Sequence, residues 1–217
     1  MLAGYSCGDS PGSWKHFPLP GSLFIPMWEP VAAANIVQAR GGGKMNRGTG
    51  SVVLLLGGAR SGKSRLAQAR AETLAGELIY LATGQALDTE MTERIARHRA
   101  DRGPRWRTVE APLDLPGAIA SERGANRVVL VDCLTLWLSN LMLGEHDIPA
   151  ATARLLDAIS GQSGTVLLVS NEVGLGIVPE NALARRFRDE AGRLNQAIAQ
   201  AADEVSFVAA GLAIRMK

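Results

Sequence analysis

The chain has 217 residues, of which 47% are hydrophobic and 20% charged, and its formal net charge is +2. This composition is ordinary for a globular protein that buries a sizeable core. The positive surplus lies within residues 1–50, since residues 51–217 carry 19 basic and 19 acidic side chains. A domain of balanced charge lacks the basic face that binds nucleic acid, so a nucleic-acid partner is not expected.

Cysteine usage and apolar runs indicate the compartment. Cys7 and Cys133 are far apart and belong neither to a disulfide framework nor to a metal-binding cluster. Cys133 follows an apolar run and is predicted to be a small buried thiol. No apolar run approaches the roughly 20 residues that span a bilayer, and the first residues make a poor secretion signal. A cytoplasmic protein without a transmembrane segment is therefore expected.

Residues 1–50 are rich in Gly, Pro and Ser and show neither helical nor strand periodicity. They predict an irregular N-terminal extension, with Met45 as the true start and residues 51–217 as the one folded domain. The alternative is a tail that binds a partner through its scattered aromatic side chains, which include Trp14, Phe17, Phe24 and Trp28.

From residue 51 onward, short apolar runs alternate with helical patterns. Strands are predicted at Val52–Leu56, Leu78–Ala82, Val128–Val131, Val166–Val169 and Val205–Ala209. Helices are predicted near residues 63–75, 89–102, 113–123, 134–143, 150–161 and 181–202. This alternation is typical of an α/β fold in which helices cover both faces of a mainly parallel sheet. Ligands of such sheets bind at the carboxyl ends of the strands.

The loop after the first predicted strand reads GGARSGKS from Gly57 to Ser64 and matches the phosphate-binding pattern GxxxxGK[ST]. Its glycines allow backbone N–H groups to face phosphate oxygens, and the following helix adds partial positive charge. In this pattern Lys63 reaches the β- and γ-phosphates and the Ser64 hydroxyl ligates Mg²⁺. The loop therefore predicts binding of a nucleoside triphosphate. The alternative is a glycine-rich turn without a ligand.

Two further residues are candidates for the chemistry. Asp132 ends an apolar run and can hold a Mg²⁺ water opposite Ser64, although Asp132 or Thr135 could instead cap the next helix. His98 lies among five arginines, which favours a phosphate partner, although a lone histidine on a half-apolar helix face is usually a packed side chain. Positive neighbours lower the pKa of an imidazole and so leave a ring nitrogen free to attack.

The segment from Ser170 to Glu180 follows another predicted strand and contains two glycines and Pro179. Asn171 and Glu172 stand at its start, where a polar substrate would bind at the carboxyl end of the strand. The alternative is a long connection without a ligand, followed by a solvated arginine-rich helix.

Together these stretches resemble the bifunctional adenosylcobinamide kinase/adenosylcobinamide-phosphate guanylyltransferase family of cobalamin synthesis. The resemblance rests on GGARSGKS, on RIARHR at 94–99 and on NEVGLGIVPEN at 171–181, and FRDEAGRLN at 187–195 and ADEV at 202–205 match as well. It covers residues 51–217. The phosphate loop is generic, whereas NEVG and RDxAGRxN are specific to the family.

The resemblance implies a P-loop NTPase fold of the RecA-like type and two reactions on one substrate. ATP or GTP phosphorylates the aminopropanol hydroxyl of adenosylcobinamide, and GTP then donates GMP through a histidine to give adenosylcobinamide-GDP. The guanylylated histidine maps onto His98, and Lys63 is the other catalytic residue. Family members form trimers, which implies a homo-oligomer. The rival functions are a P-loop kinase without transferase activity and a nucleotide-switched regulatory module.

The same resemblance assigns the site residues. The implied nucleotide contacts are Gly57, Gly58, Ala59, Arg60, Ser61, Gly62, Lys63, Ser64, Ala82, Thr83, Gly84, Arg99, Ala100, Asp101, Arg102, Glu110 and Asp132. Ser64 and Asp132 are the expected Mg²⁺ ligands, Asp132 through a water. Asn171 and Glu172 are the candidates on the side of the acceptor substrate.

Overall fold

The computed structural model of the chain describes residues 50–85 and 103–217, which form seven strands and five helices. The strands are β1 (Ser51–Gly57), β2 (Glu77–Ala82), β3 (Trp106–Glu110), β4 (Arg127–Asp132), β5 (Thr165–Asn171), β6 (Glu204–Ala209) and β7 (Leu212–Arg215). The helices are α1 (Lys63–Glu72), α2 (Leu115–Ser121), α3 (Leu134–Leu143), α4 (Ile148–Ser160) and α5 (Ala182–Ala201). The helix predicted at 89–102, with His98, and nearly all of the predicted extension lie outside the described residues.

The seven strands form one sheet in the order β3-β2-β4-β5-β1-β6-β7. All neighbouring pairs are parallel except β6 and β7. This confirms the predicted mainly parallel sheet and the P-loop NTPase fold of the RecA-like type. Because β5 lies between β1 and β4, the ends of these three strands meet at one stretch of the carboxyl edge, where Gly57 is opposite Asn171.

Apolar side chains of the strands pack on both faces of the sheet. In β1, Val52, Leu54 and Leu56 join the core formed with α2, α3, α4 and α5, whereas Val53 and Leu55 pack with α1. Successive side chains of a strand point to opposite faces, so a sheet covered on both faces requires near-continuous apolar runs. That requirement explains why the central strands were visible in the sequence.

Three helices begin at side chains that cap their first turn. The carboxylates of Asp114 and Asp147 and the amide oxygen of Asn181 each accept a backbone N–H bond three residues later, at 2.9 to 3.2 Å. The observed helices agree with the predicted ones within about three residues. In the part of the chain that the structure describes, no helix is long and apolar enough to cross a membrane.

Two edge strands were not predicted from the sequence. β3 contains only two apolar residues, Trp106 and Val109, and among the described strands it pairs with β2 alone. β7 has four residues, all exposed, and continues the sheet as an antiparallel partner of β6. An edge strand needs no continuous apolar run, because it is less buried than the central strands.

Candidate active site

The phosphate loop joins β1 to α1 at the carboxyl edge, and glycine is required at two of its positions. A Cβ atom on Gly57 would lie 2.3 Å from the carbonyl oxygen of Val208 in the neighbouring strand. Gly62 has a φ of +96°, a backbone conformation that side chains disfavour. These constraints hold the loop against the sheet and bring its backbone into the tight turn that phosphate binding needs.

The first turn of α1 is open to an anion. The helix begins at Gly62 without a side-chain cap, and its first turn contains no acidic residue. The N–H groups of such a turn lack partners within the helix and carry the positive end of its dipole. Among the described residues, Ser61 Oγ is buried without a hydrogen bond. The loop therefore fits a phosphate group, whose oxygen atoms accept hydrogen bonds both from backbone N–H groups and from a serine hydroxyl.

Lys63 lies inside this loop. Its side chain is buried, with 6% of the residue exposed, and Nζ donates a 2.9 Å hydrogen bond to the carbonyl oxygen of Gly58. An ammonium group is almost never buried without a functional or structural reason, since leaving water costs free energy. The fold therefore holds a positive charge among the N–H groups that would face the phosphates.

Asp132 ends β4, one strand beyond β5 from the phosphate loop. Its Oδ2 atom accepts a 3.2 Å hydrogen bond from the hydroxyl of Tyr80 on β2. Neither Asp132 nor Thr135 caps α3, because Cys133 is its N-cap residue and the helix has no side-chain cap, so that alternative is wrong. The peptide bond between Asp132 and Cys133 is cis. The Asp132 carboxylate is thus held at the carboxyl edge by β2 and β4.

The described residues contain no group of three His, Cys, Asp or Glu side chains that could hold a metal ion by themselves. Mg²⁺ usually takes one or two protein ligands and completes its shell with water and substrate phosphates. Ser64 lies in the phosphate loop and Asp132 ends β4, so both stand at the carboxyl edge of the sheet. Their oxygen atoms are the ligand type that Mg²⁺ prefers.

Thr83 connects the end of β2 to β4. Thr83 is completely buried. Its hydroxyl donates a hydrogen bond to the carbonyl oxygen of Cys133 and accepts one from the N–H of Cys133, both at 2.8 Å. The amide of Asn140 donates to the carbonyl oxygen of Thr83 at 2.8 Å. The Thr83 hydroxyl is therefore engaged within the protein, and the loop from Ala82 to Gly84 is fixed beside Asp132.

The Cys133 thiol is buried, as predicted, and burial raises its pKa, with the nearby Asp132 charge acting in the same direction. Its sulfur lies 3.1 Å from the Thr135 hydroxyl. A protonated, enclosed thiol is a packing group rather than a nucleophile.

The end of β5 is fixed by two polar partners. The amide of Asn171 donates a 2.8 Å hydrogen bond to the Thr135 hydroxyl on α3. Its backbone carbonyl accepts from the buried amide of Asn195 on α5. The next residue, Glu172, donates its backbone N–H to the carbonyl oxygen of Gly57 at 3.0 Å. The two acceptor-side candidates therefore lie directly beside the phosphate loop.

The remaining predicted contacts fall at the same edge or outside the described residues. In register, Ala82 is opposite both Glu110 on β3 and Asp132 on β4, so all three lie in one row. The described candidates thus share the carboxyl edge: residues 57–64, Ala82, Thr83, Gly84, Glu110, Asp132, Asn171 and Glu172. The candidates outside the described residues are His98, Arg99, Ala100, Asp101 and Arg102. The sequence did not single out Tyr80, Asn140 or Asn195 as site residues.

Comparison with known proteins matches residues 53–216 to the CobU family model, described as cobinamide kinase / cobinamide phosphate guanyltransferase. The chain belongs to this CobU family. One relative is the bifunctional adenosylcobalamin biosynthesis protein CobP of Pseudomonas aeruginosa, 50% identical over 166 residues, or 76% of this chain and 96% of the relative. The bifunctional adenosylcobalamin biosynthesis protein CobU of Escherichia coli is 43% identical over 184 residues, with 76% and 99% covered. The CobU protein of Salmonella typhimurium is 42% identical, with the same coverage.

Two solved structures that align with this member of the CobU family are more distant from it than these relatives. An ATPase from a type III secretion system aligns with a TM-score of 0.49 at 11% identity, covering 77% of this chain and 57% of the other. The RadB recombinase aligns with a TM-score of 0.44 at 16% identity, covering 74% and 75%. The fold assignment rests on the strand order and on the phosphate loop described above.

Proposed function

We propose that this protein phosphorylates the aminopropanol hydroxyl of adenosylcobinamide and then transfers GMP from GTP to the new phosphate, forming adenosylcobinamide-GDP. One observation carries the proposal: an intact phosphate loop, with Lys63 buried inside it, lies in a chain that matches the CobU family from residue 53 to 216. The relatives are named as bifunctional proteins of adenosylcobalamin biosynthesis, which supports two activities in one chain.

The kinase step uses the groups of the phosphate loop. The hydroxyl of the acceptor attacks the γ-phosphorus of ATP or GTP, and the bond to the β–γ bridging oxygen breaks. Lys63 and the N–H groups of the first turn of α1 stabilise the charge that spreads over the phosphate oxygens. Ser64 and Asp132 would hold Mg²⁺, which when bound would neutralise part of that charge. Asn171 and Glu172 orient the acceptor.

The transferase step needs attack at the α-phosphorus instead. An imidazole nitrogen of His98 forms a bond to that phosphorus, and pyrophosphate leaves with the bridging oxygen. The phosphate of the acceptor then attacks the same phosphorus, a P–O–P linkage forms, and the imidazole is released. Arg99, Ala100, Asp101, Arg102 and Glu110 complete the nucleotide contacts in this proposal. It further includes a cytoplasmic location and a trimer as the working assembly.

The decisive experiment is to incubate the protein with α-³²P-GTP and Mg²⁺, without corrinoid, and to test the denatured protein for label. A guanylyl-histidine is expected, with label that is lost in acid and retained in alkali. His98→Ala should abolish the label. His146→Ala is the matched control, because His146 is exposed near the end of α3 and belongs to none of the candidate groups. Active, folded protein that takes no label would remove the transferase half of the proposal.

A further inference from the structure

Exposed apolar side chains collect beyond the carboxyl end of β5. Leu175 is 81% exposed and Ile177 is 98% exposed, and four other large apolar residues of the same region are at least 36% exposed. These six residues, here called the apolar rim, are Leu143, Val173, Leu175, Ile177, Val178 and Leu183. Single exposed apolar residues are ordinary on protein surfaces, but a group of them indicates a binding surface.

The apolar rim is continuous with the phosphate loop. The chain passes from Asn171, opposite Gly57 in the sheet, to Glu172, whose N–H bonds to Gly57, and then directly to Val173. The rim therefore begins, at Val173, one residue from a backbone contact with the phosphate loop.

The rim also extends outward from the sheet. The 20 residues of α5 span about 30 Å, and its buried residues begin only at Ala191. The first half of the helix is therefore less buried than the half that packs on the sheet. Between this half and the end of α3 lies a groove whose lining includes Ser139, Met142, Leu143, Leu183, Ala184 and Phe187.

Hydrogen bonds within the segment hold the rim in shape. The N–H of Gly174 donates to the Glu172 carboxylate at 2.6 Å, and the carbonyl oxygen of Gly174 accepts from Arg188 at 2.9 Å. The guanidinium of Arg185 donates to the carbonyl oxygen of Pro179 at 3.0 Å. These contacts fix the backbone while the apolar side chains face outward, so little ordering is needed when a ligand binds.

We propose that the apolar rim binds the corrin macrocycle of the acceptor substrate, an inference that rests on the proposed function. The acceptor combines a small hydroxyl-bearing arm with a large ring that carries apolar methyl groups as well as amide side chains. Because the arm must deliver its hydroxyl to the phosphate loop, the ring lies against the surface next to that loop. The rim is apolar, preformed and continuous with the loop, which matches this requirement.

The test compares two double variants of the full chain. Leu175→Ser/Ile177→Ser removes apolar area at two highly exposed positions, where folding is little affected. Ile214→Ser/Met216→Ser is the matched control, since Ile214 on the edge strand β7 is 63% exposed and Met216, just after that strand, is 65% exposed. The dissociation constant for adenosylcobinamide is measured by equilibrium dialysis, using the visible absorption of the corrinoid. Labelling by α-³²P-GTP and the molar mass by light scattering are measured in parallel.

The rim variant is expected to bind adenosylcobinamide about tenfold more weakly, with unchanged labelling and molar mass, while the control binds like the wild type. An unchanged dissociation constant would overturn the inference. Weaker binding together with an altered molar mass would also overturn it, because the rim would then contact a second copy of the chain. Wild-type protein that fails to bind adenosylcobinamide would instead refute the proposed function, before any variant is compared.

Discussion

Asn195, in the second half of α5, donates a 3.1 Å hydrogen bond from its amide to the backbone carbonyl of Asn171 at the end of β5. The amide oxygen of Asn195 also accepts a 2.7 Å bond from the hydroxyl of Ser170. Asn195 is 6% exposed and Ser170 is fully buried. One side chain thus fixes two consecutive residues, Ser170 and Asn171, where β5 reaches the phosphate loop.

Replacing Asn195 with leucine is expected to lower the free energy of unfolding by about 1–3 kcal/mol, because the variant leaves buried polar groups of β5 without partners. The acceptor KM should also rise, because Asn171 loses its fixed position. Urea denaturation and steady-state kinetics measure the two effects. Gln196→Leu is the control, since Gln196 is exposed on the same helix and should tolerate the change. Equal stability of both variants would contradict this account of β5.

Lys63→Met should separate activity from stability. Removing the ammonium is expected to reduce kcat of the kinase step on the order of 10²–10³-fold, because a charge that stabilises the transferred phosphate is lost. The melting temperature should stay the same or rise, since methionine is buried without the cost of desolvating a charge. Thermal denaturation and kinase assays on the same preparation check both. A large fall in melting temperature would mean that the Lys63 contact with Gly58 is mainly structural.

Glu122 should make stability depend on acid pH. Its carboxylate is largely buried and pairs with Arg107 at 2.6 Å and with Arg127, and the hydrogen bond from Arg107 is the main cause that lowers its pKa. A lowered pKa contributes stability above the unfolded glutamate value of about 4.3, and that contribution is lost as pH falls through the folded value.

Glu122→Gln is therefore expected to destabilise the protein by about 1 kcal/mol at pH 7, a figure that allows for the partly exposed arginines. The difference from the wild type should shrink as the pH is lowered through and below about 4. Chemical denaturation at a series of pH values measures it. A difference that stays constant from pH 7 to pH 3 would show that the charge of Glu122 does not contribute.

A chain that starts at Met45 is expected to keep both activities of the full chain. The family match begins at Val53, and the sheet, its helices and the described site residues all follow residue 50. Kinase turnover and labelling by α-³²P-GTP per mole of protein should agree within about twofold between the two chains. Loss of either activity, with the folded state retained, would favour the alternative of a functional N-terminal tail.

The central sheet and the phosphate loop were predictable because each is marked by a pattern of neighbouring residues in the sequence, namely apolar runs and GxxxxGK[ST]. The predicted bounds of α3, residues 134–143, match the structure, since a dense apolar run leaves little choice. The hydrogen bonds that fix the site were not predictable. Tyr80 is 52 residues from Asp132, and Asn195 is 24 residues from Asn171, so these pairs exist only once the strand order is set. A single sequence shows the residues but not their partners.

The position of β6 in the sheet affects the order in which the domain can fold during synthesis. β1 lies between β5 and β6, and the turn after β6 donates the N–H of Gly211 to the carbonyl oxygen of Ser61. A phosphate loop near the start of the domain is therefore supported by residues that are synthesised about 150 positions later. The edge of β1 that pairs with β6 stays unpaired until β6 has been made. The loop accordingly gains its full support only after β6 and the turn that follows it have folded onto the sheet.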